Sequence, residues 1–326
     1  MNSKSAHLSV HVRHVAPQAE WKIDRRDFLK VSSASLFGLV VGGCVSTPNF
    51  RSVQLPLRFG LITDPHYADT PSKGKRFYRE SLGKVREAVD RIRAERVAFL
   101  AELGDFKDME AGETAARTLS HLIAIEREFQ RFGGPTYHVL GNHDMDNLSK
   151  TQVMTAITNT GIAGDRTYYG FSQGRIRFIV LDATFDQNGR DYDHGNFDWK
   201  DANVPPAQLD WLAKELTTAT DPVIVFVHQR LDGDGHASIK NRAAVRARLE
   251  SSGKVLAVFQ GHDHPGAQSE INGIHYYTLK AVVEGSGAEN NSYAVVEVAP
   301  DLGLTVTGFR RATGMMMSHG ARAGVT

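Results

Sequence analysis

The amino-acid sequence predicts a mixed-sheet α/β protein on three observations. Strand-like apolar runs recur along residues 57–264, helical patterns separate several of them, and the chain closes on a β-rich stretch. The runs are LRFGLITD (Leu57 to Asp64), VAFLAELGD (Val97 to Asp105), TYHVLGNHD (Thr136 to Asp144), RIRFIVLDAT (Arg175 to Thr184), PVIVFVHQR (Pro222 to Arg230) and VLAVFQGHDH (Val255 to His264). They are β-branched and apolar almost throughout, as strands buried on both faces require. Between them, Leu82, Val85, Val89 and Ile92 recur at three- and four-residue spacing, and Leu119, Leu122, Ile123 and Phe129 make a second stripe. Pro206 opens a further helix that places Leu209, Leu212 and Leu216 on one face. GIHYYTLKAVV, SYAVVEVA and LTVTGF then read as strands joined by turns and expected to pair antiparallel. Residues 312–326 read as a loose tail.

Composition narrows the function classes. A chain of 326 residues, 41% hydrophobic and with 30 glycines, can bury a sizeable core. Its formal net charge is +1 and it has no long basic run, which excludes binding nucleic acid through a broad electrostatic footprint. Residues 1–50 read as an export segment rather than as fold, leaving 51–311 for the folded domain. Arg25 and Arg26 precede Phe28, Leu29 and Lys30, and the following Val31 to Gly43 is uncharged, weakly apolar and too short to span a bilayer. This segment resembles a bacterial twin-arginine (Tat) signal, which implies the Tat export machinery as a partner and a protein that is periplasmic or held on the outer side of the inner membrane. Cys44 is the only cysteine, so no intrachain disulfide forms. It stands in VGGC, which is similar to a lipoprotein signal-peptidase site; it is either acylated as a lipid anchor or a chance cysteine beside an ordinary cleavage site.

Each apolar run ends in polar residues, where open α/β sheets bind ligands. In chain order these are Asp64 and His66, Asp105, then Asn142, His143 and Asp144, then His228, then His262 and His264. In an extended segment residues i and i+2 point the same way, so His262 and His264 can both reach one point while Asp263 faces elsewhere. All the donors are oxygen or nitrogen, a set that suits divalent manganese, iron or zinc and excludes a soft sulfur site. Singly each motif has a plain alternative: Asp105 as a turn residue, Asn142 holding a loop, His228 as a hydrogen-bonded core histidine. Five clusters in order, each closing an apolar run, point to a metal.

The ordered pattern D-x-H, G-D-x-x-D, G-N-H-D, H, G-H-x-H resembles that of the calcineurin-like metallophosphoesterases, over roughly residues 59–309. The resemblance implies a four-layer α/β/β/α sandwich of two mixed sheets with a dinuclear metal centre. Carried over position by position, Asp64, His66, Asp105 and His264 would hold one ion, and Asp105 would bridge to a second completed by Asn142, His228 and His262. The opening pair of histidines thus goes to neighbouring ions. Purple acid phosphatases place a tyrosine three residues after the G-D aspartate; here Asp108 stands there, which argues against a tyrosinate-bound ferric site. FGLITDPHYAD, RFYRESLGKVREAV and YYGFSQGRIRFIVLDA are also similar to the manganese-dependent ADP-ribose/CDP-alcohol diphosphatase branch, which carries glutamine where His66 stands.

The implied activity is hydrolysis of small phosphodiesters or nucleoside-diphosphate-type pyrophosphates by an exported two-metal phosphoesterase. Two cations neutralise the ester's charge and activate a bridging hydroxide for in-line attack. His143, next to a ligand but outside both ligand sets, is the candidate acid for the leaving group, and Asp144 is expected either to orient it or only to cap the loop. The alternatives are a phosphomonoesterase on the same site, or a binding or scaffold protein whose metal site has decayed; no motif position here is lost. Lys73, Lys75, Arg76 and Arg79 offer cations for phosphate or form a solvated helix face. Likewise, His236 reads as a cleft residue or a surface-loop histidine, and Tyr67 as a stacking residue or plain packing.

Overall fold

The computed structural model describes residues 56–318. Residues 1–55, with Arg25, Arg26 and Cys44 of the segment expected to direct export, and residues 319–326 lie outside the described residues. Among the described residues, twelve strands fall into two six-stranded sheets. The first contains β1 (Leu57–Ile62), β2 (Leu100–Glu102), β3 (Thr136–His138), β10 (Ser292–Val298), β11 (Leu304–Arg310) and β12 (Met315–Met317), in the order β12-β11-β10-β1-β2-β3. The second contains β4 (Tyr169–Gln173), β5 (Ile176–Val180), β6 (Val223–Phe226), β7 (Val255–Gln260), β8 (Ala267–Ile271) and β9 (Ile274–Thr278), in the order β4-β5-β6-β7-β9-β8. Both sheets are mixed: β1, β2 and β3 run parallel, as do β5, β6, β7 and β9, and the outer strands pair antiparallel.

The layers follow from burial. Between the sheets lies an aromatic core in which Phe59 stacks on Phe99 at 5.0 Å and meets Phe178 and Phe259 edge-on at 5.4 and 5.8 Å. The outer face of the first sheet packs against helices α1 (Ser81–Ala94) and α2 (Ala115–Phe129) through Val85, Val89, Ile92, Leu122, Ile125 and Phe129. The outer face of the second is covered by α4 (Pro206–Thr218) and α5 (Arg242–Ser252), with Leu209, Leu212, Leu216, Val245 and Leu249 inward. The short α3 (Lys150–Ala156) begins with a capping box: Ser149 Oγ accepts from Gln152 N at 3.1 Å and Gln152 Oε1 from Ser149 N at 2.8 Å. The expected four-layer α/β/β/α sandwich is therefore the observed one.

Three expectations are corrected. Ile123 is exposed, because the inward stripe of α2 runs through His121, Leu122, Ile125 and Phe129 instead. The strand in GIHYYTLKAVV pairs parallel with β7 as well as antiparallel with β8, so the close of the chain is mixed. Residues 312–318 are no loose tail: Met315–Met317 pairs with β11 and buries Met317 in the inter-sheet core.

Candidate metal centre

The carboxyl ends of β1, β2, β3, β6 and β7 converge, and the loops after them hydrogen-bond to one another. Asp64 N donates to Gly104 O at 3.0 Å, His66 N to Asp105 O at 2.9 Å and Gly261 N to His228 O at 3.0 Å. Across the sheets, His262 N donates to Asp64 Oδ2 at 2.9 Å. Each loop must turn sharply to aim its side chain back over the strand ends. Asp64, His66, Asp105 and His262 consequently hold left-handed backbone, at φ 51°, 45°, 55° and 65°. That conformation costs on the order of 1 kcal/mol per residue, and such strain gathers at functional sites. Gly104 is needed at φ 103°, where a Cβ would collide with the His228 ring.

Six of the seven residues expected as ligands form one cluster, and the seventh, Asn142, lines the same cleft as Asp105, His262 and His264. Asp64 Oδ1 lies 3.6 Å from His66 Nε2 and 3.5 Å from His264 Nε2, and those two nitrogens are 3.1 Å apart. Asp105 Oδ2 is 3.6 Å from His66 Nε2, yet also 3.1 Å from His228 Nε2 and 4.0 Å from His262 Nδ1. One carboxylate oxygen thus belongs to two donor sets. Donors about 2.1 Å from one ion stand about 3.0–3.4 Å apart at octahedral to tetrahedral angles, close to these spacings.

The ring tautomers make the stronger test. His66 Nδ1 lies 3.1 Å from Asp108 Oδ2, His264 Nδ1 2.9 Å from Glu284 Oε1, and His228 Nδ1 2.8 Å from Leu103 O. With Nδ1–H donated outward, each ring turns an Nε2 lone pair into the cluster, the second-shell arrangement of metal-binding histidines. Lone pairs of His66 and His264 facing each other at 3.1 Å need a proton or a cation between them. The buried Asn142 Oδ1 likewise has no hydrogen-bond partner among the described residues. The residues fit a pair of divalent cations.

Electrostatics agree. Burial opposes ionisation of Asp64 and Asp105, but hydrogen bonds from His264 and His66 to the first, and the charges of His228 and His143 near the second, hold both well below the usual carboxylate range. Burial works against charge on His228 and His264, yet Asp105 and Asp64 beside the first, and Asp64 and Glu284 beside the second, outweigh it and raise both to about 9. Protons on imidazole balance the carboxylates here, and a cation that takes over that task displaces them.

The catalytic pair splits. His143 lines the cleft, its ring 4.7 Å from that of His66, and its Nδ1 lies 2.8 Å from Asp146 Oδ2. Burial alone would depress His143, but Asp105, Asp108 and Asp146 raise it to about 10. Asp144 does not orient it. Its carboxylate accepts from Phe106 N at 3.0 Å and Gly141 N at 2.8 Å, which makes it a clasp between two ligand loops. Sequence reasoning missed Asp146, although a carboxylate three residues after the histidine on a helical turn was a readable signal. Asp108 was read only as a missing tyrosine, and Glu284 has no local signal at all. Among the secondary candidates, Arg76 and His236 line the cleft of about 620 Å³. Arg79 pairs with Asp69, Lys73 and Lys75 are exposed, and Tyr67 packs edge-on to His121.

The comparisons with known proteins point the same way. Residues 57–266 match the family model for calcineurin-like phosphoesterase. The chain is 30% identical to a manganese-dependent ADP-ribose/CDP-alcohol diphosphatase of Oryza sativa subsp. japonica, over 76% of this chain and 90% of that one. A diphosphatase of the same description from Danio rerio is 29% identical, over 69% and 87%. Among solved structures, a dimetal phosphatase from Danio rerio superposes with a TM-score of 0.70 at 25% identity, covering 81% of this chain and all of that one. The chain belongs to the calcineurin-like phosphoesterase family and is a metal-dependent phosphoric ester hydrolase.

Proposed function

We propose that this enzyme is a two-metal diphosphatase that cleaves the pyrophosphate bond of small nucleoside-diphosphate-linked molecules, with ADP-ribose and CDP-alcohols as the substrates to test first. The observation that carries the two-metal reading is the single oxygen, Asp105 Oδ2, shared by two donor sets. The substrate class is supported by the likeness to the diphosphatases of rice and zebrafish. Asp64, His66, Asp105 and His264 would hold one ion, and Asp105, Asn142, His228 and His262 the other. When bound, the ions neutralise phosphoryl charge and lower the pKa of a coordinated water. His143, held by Asp146 through Nδ1, keeps its other ring nitrogen for the cleft and delivers a proton to the departing oxygen. Asp108 and Glu284 keep His66 and His264 in the tautomer that presents Nε2.

Purified protein reconstituted with manganese should carry two ions per chain by elemental analysis and lose hydrolysis in EDTA. Asp105→Ala should lower metal content and cut kcat/KM at least 100-fold; retention of two ions and full activity would falsify the shared-carboxylate reading. An assay across ADP-ribose, CDP-alcohols, cyclic nucleotides, glycerophosphodiesters and simple monoesters decides the substrate class, and a preference for monoesters would make the enzyme a phosphomonoesterase. We further propose export by the Tat pathway, with Cys44 as an acylated anchor, on the pattern of residues 24–44. Replacing Arg25 and Arg26 by lysine should hold the protein in the cytoplasm; continued export would exclude that route.

A further inference from the structure

Trp199 keeps 42% of its surface exposed, with the Lys200 ammonium 5.5 Å from its ring centroid. Its ring centroid lies 5.7 Å from that of His262 and 6.5 Å from that of His236. All three rings line the cleft, with Arg76, His143 and Glu284 as further lining residues. Indole carries the largest apolar surface of any side chain, so leaving it in water beside a polar, charged cleft forgoes burial that packing elsewhere would supply. A chain that fixes tryptophan there has provided a flat surface for something planar.

The loop around it is built to hold that position. Fully buried Tyr192 stacks on Phe197 at 4.0 Å and donates its hydroxyl to Asp198 O at 3.2 Å. Asp198 then caps the turn, accepting from Lys200 N at 3.0 Å and, through its carbonyl, from Asp201 N at 2.8 Å. The loop of His236 is equally tied. Arg230 reaches Asp263 at 2.6 Å and Asp232 at 3.1 Å, and Arg242 reaches Asp234 at 2.7 Å. The chain on either side of both rings is thus tied down, which lowers the cost of ordering them around a ligand.

We propose that Trp199, flanked by His236, is the platform on which this enzyme stacks the nucleobase of its substrate while the phosphates lie over the aspartate–histidine cluster. The inference deepens the diphosphatase reading and rests on it for the phosphate end of the ligand. Stacking engages the face of a base and not its hydrogen-bonding edge, so purine and pyrimidine esters are both accepted. Trp199 is therefore a specificity-determining residue: it separates substrates with a planar aromatic group from aliphatic ones of equal charge.

The test uses the full chain, wild type and with Trp199→Leu or Trp199→Phe. In fluorescence titrations AMP and CMP should quench the tryptophan emission of the wild type, ribose 5-phosphate should not, and Trp199→Leu should abolish the quench. In steady-state assays Trp199→Leu should raise KM for CDP-choline roughly tenfold, a change matching loss of one base stack. The rise for glycerophosphocholine should be much smaller, and Trp199→Phe should recover most of the affinity for CDP-choline. Equal quenching by ribose 5-phosphate, a quench that survives in Trp199→Leu, or parallel KM changes on both substrates would overturn the platform. Quenching by AMP in a metal-loaded protein that hydrolyses no phosphate ester would instead sink the diphosphatase reading and leave the platform standing.

Discussion

Two aspartates two positions apart, Asp144 and Asp146, do different work, and the difference lies in what each carboxylate faces. Asp146 Oδ2 receives the Nδ1–H of His143, whereas Asp144 receives backbone N–H groups from the G-D and G-N-H-D loops. Asp146→Asn keeps the shape but removes the carboxylate hydrogen-bonded to His143 Nδ1, one of three charges that favour the proton on its ring. It is expected to lower kcat by about 10- to 100-fold with both metal equivalents retained, as read by kinetics beside elemental analysis. Asp144→Asn keeps His143 in place but weakens three backbone hydrogen bonds, from Phe106, Lys107 and Gly141, between buried loops. A stability loss of about 1–3 kcal/mol is expected in urea titration, with metal affinity falling only as far as the loops loosen. If Asp144→Asn gave the purely kinetic phenotype and Asp146→Asn none, the roles assigned to the two residues would be reversed.

Elements far apart in sequence act on the site through single anchors. Lys84, on the inward face of α1 and 3% exposed, donates to Val282 O at 3.0 Å, Glu284 O at 3.3 Å and Gly285 O at 2.5 Å. It thereby fixes the segment that carries Glu284 against His264. Burial pulls the ammonium down to about 8, a cost the three carbonyls offset in part. Lys84→Met fills the space and leaves those carbonyls without their donor. The expected results are about 2–4 kcal/mol of lost stability and a metal affinity about tenfold weaker, because Glu284 is no longer held on His264. Unchanged manganese affinity in a well-folded Lys84→Met protein would show that Glu284 needs no such support.

At the scale of the molecule the site is a clasp between sheets. Asp64, His66, Asp105 and Asn142 follow strands of the first sheet, and His228, His262 and His264 follow strands of the second. Ions bound to both sets stabilise the folded state by mass action, about 2.7 kcal/mol at a hundredfold excess over Kd. Thermal unfolding in EDTA should therefore begin roughly 5–10 °C lower than in excess manganese. An unchanged Tm would mean that the donors do not bind cations tightly. A second, metal-independent effect sits beneath the site, where His138 lies 3.1 Å from Glu126 and 3.6 Å from Glu102. Burial opposes charge on His138, but Glu126 and Glu102 raise it to about 10, while burial pushes Glu102 up to about 8. Both groups bind protons more tightly folded than unfolded, so the stability they contribute is present at low pH and is lost as the pH rises through about 8 and then about 10. In EDTA, the stability advantage of wild type over His138→Gln should shrink between pH 7 and pH 10; an advantage that grew with pH would reverse the assignment.

The sequence by itself determined the donor inventory, the strand that each donor follows and the fold class. Apolar runs such as Val255–Gln260 pack on both faces, and polar residues directly after them must emerge at one edge of a sheet. Tertiary structure alone decided that Glu284 and Asp108 orient ligands, that Ile123 faces water, and that Met315–Met317 closes a sheet edge. Such outcomes depend on groups distant in sequence: His66 meets Asp108 42 residues away and His264 198 residues away. Local periodicity records which face a residue occupies, but not which distant loop the fold brings to meet it.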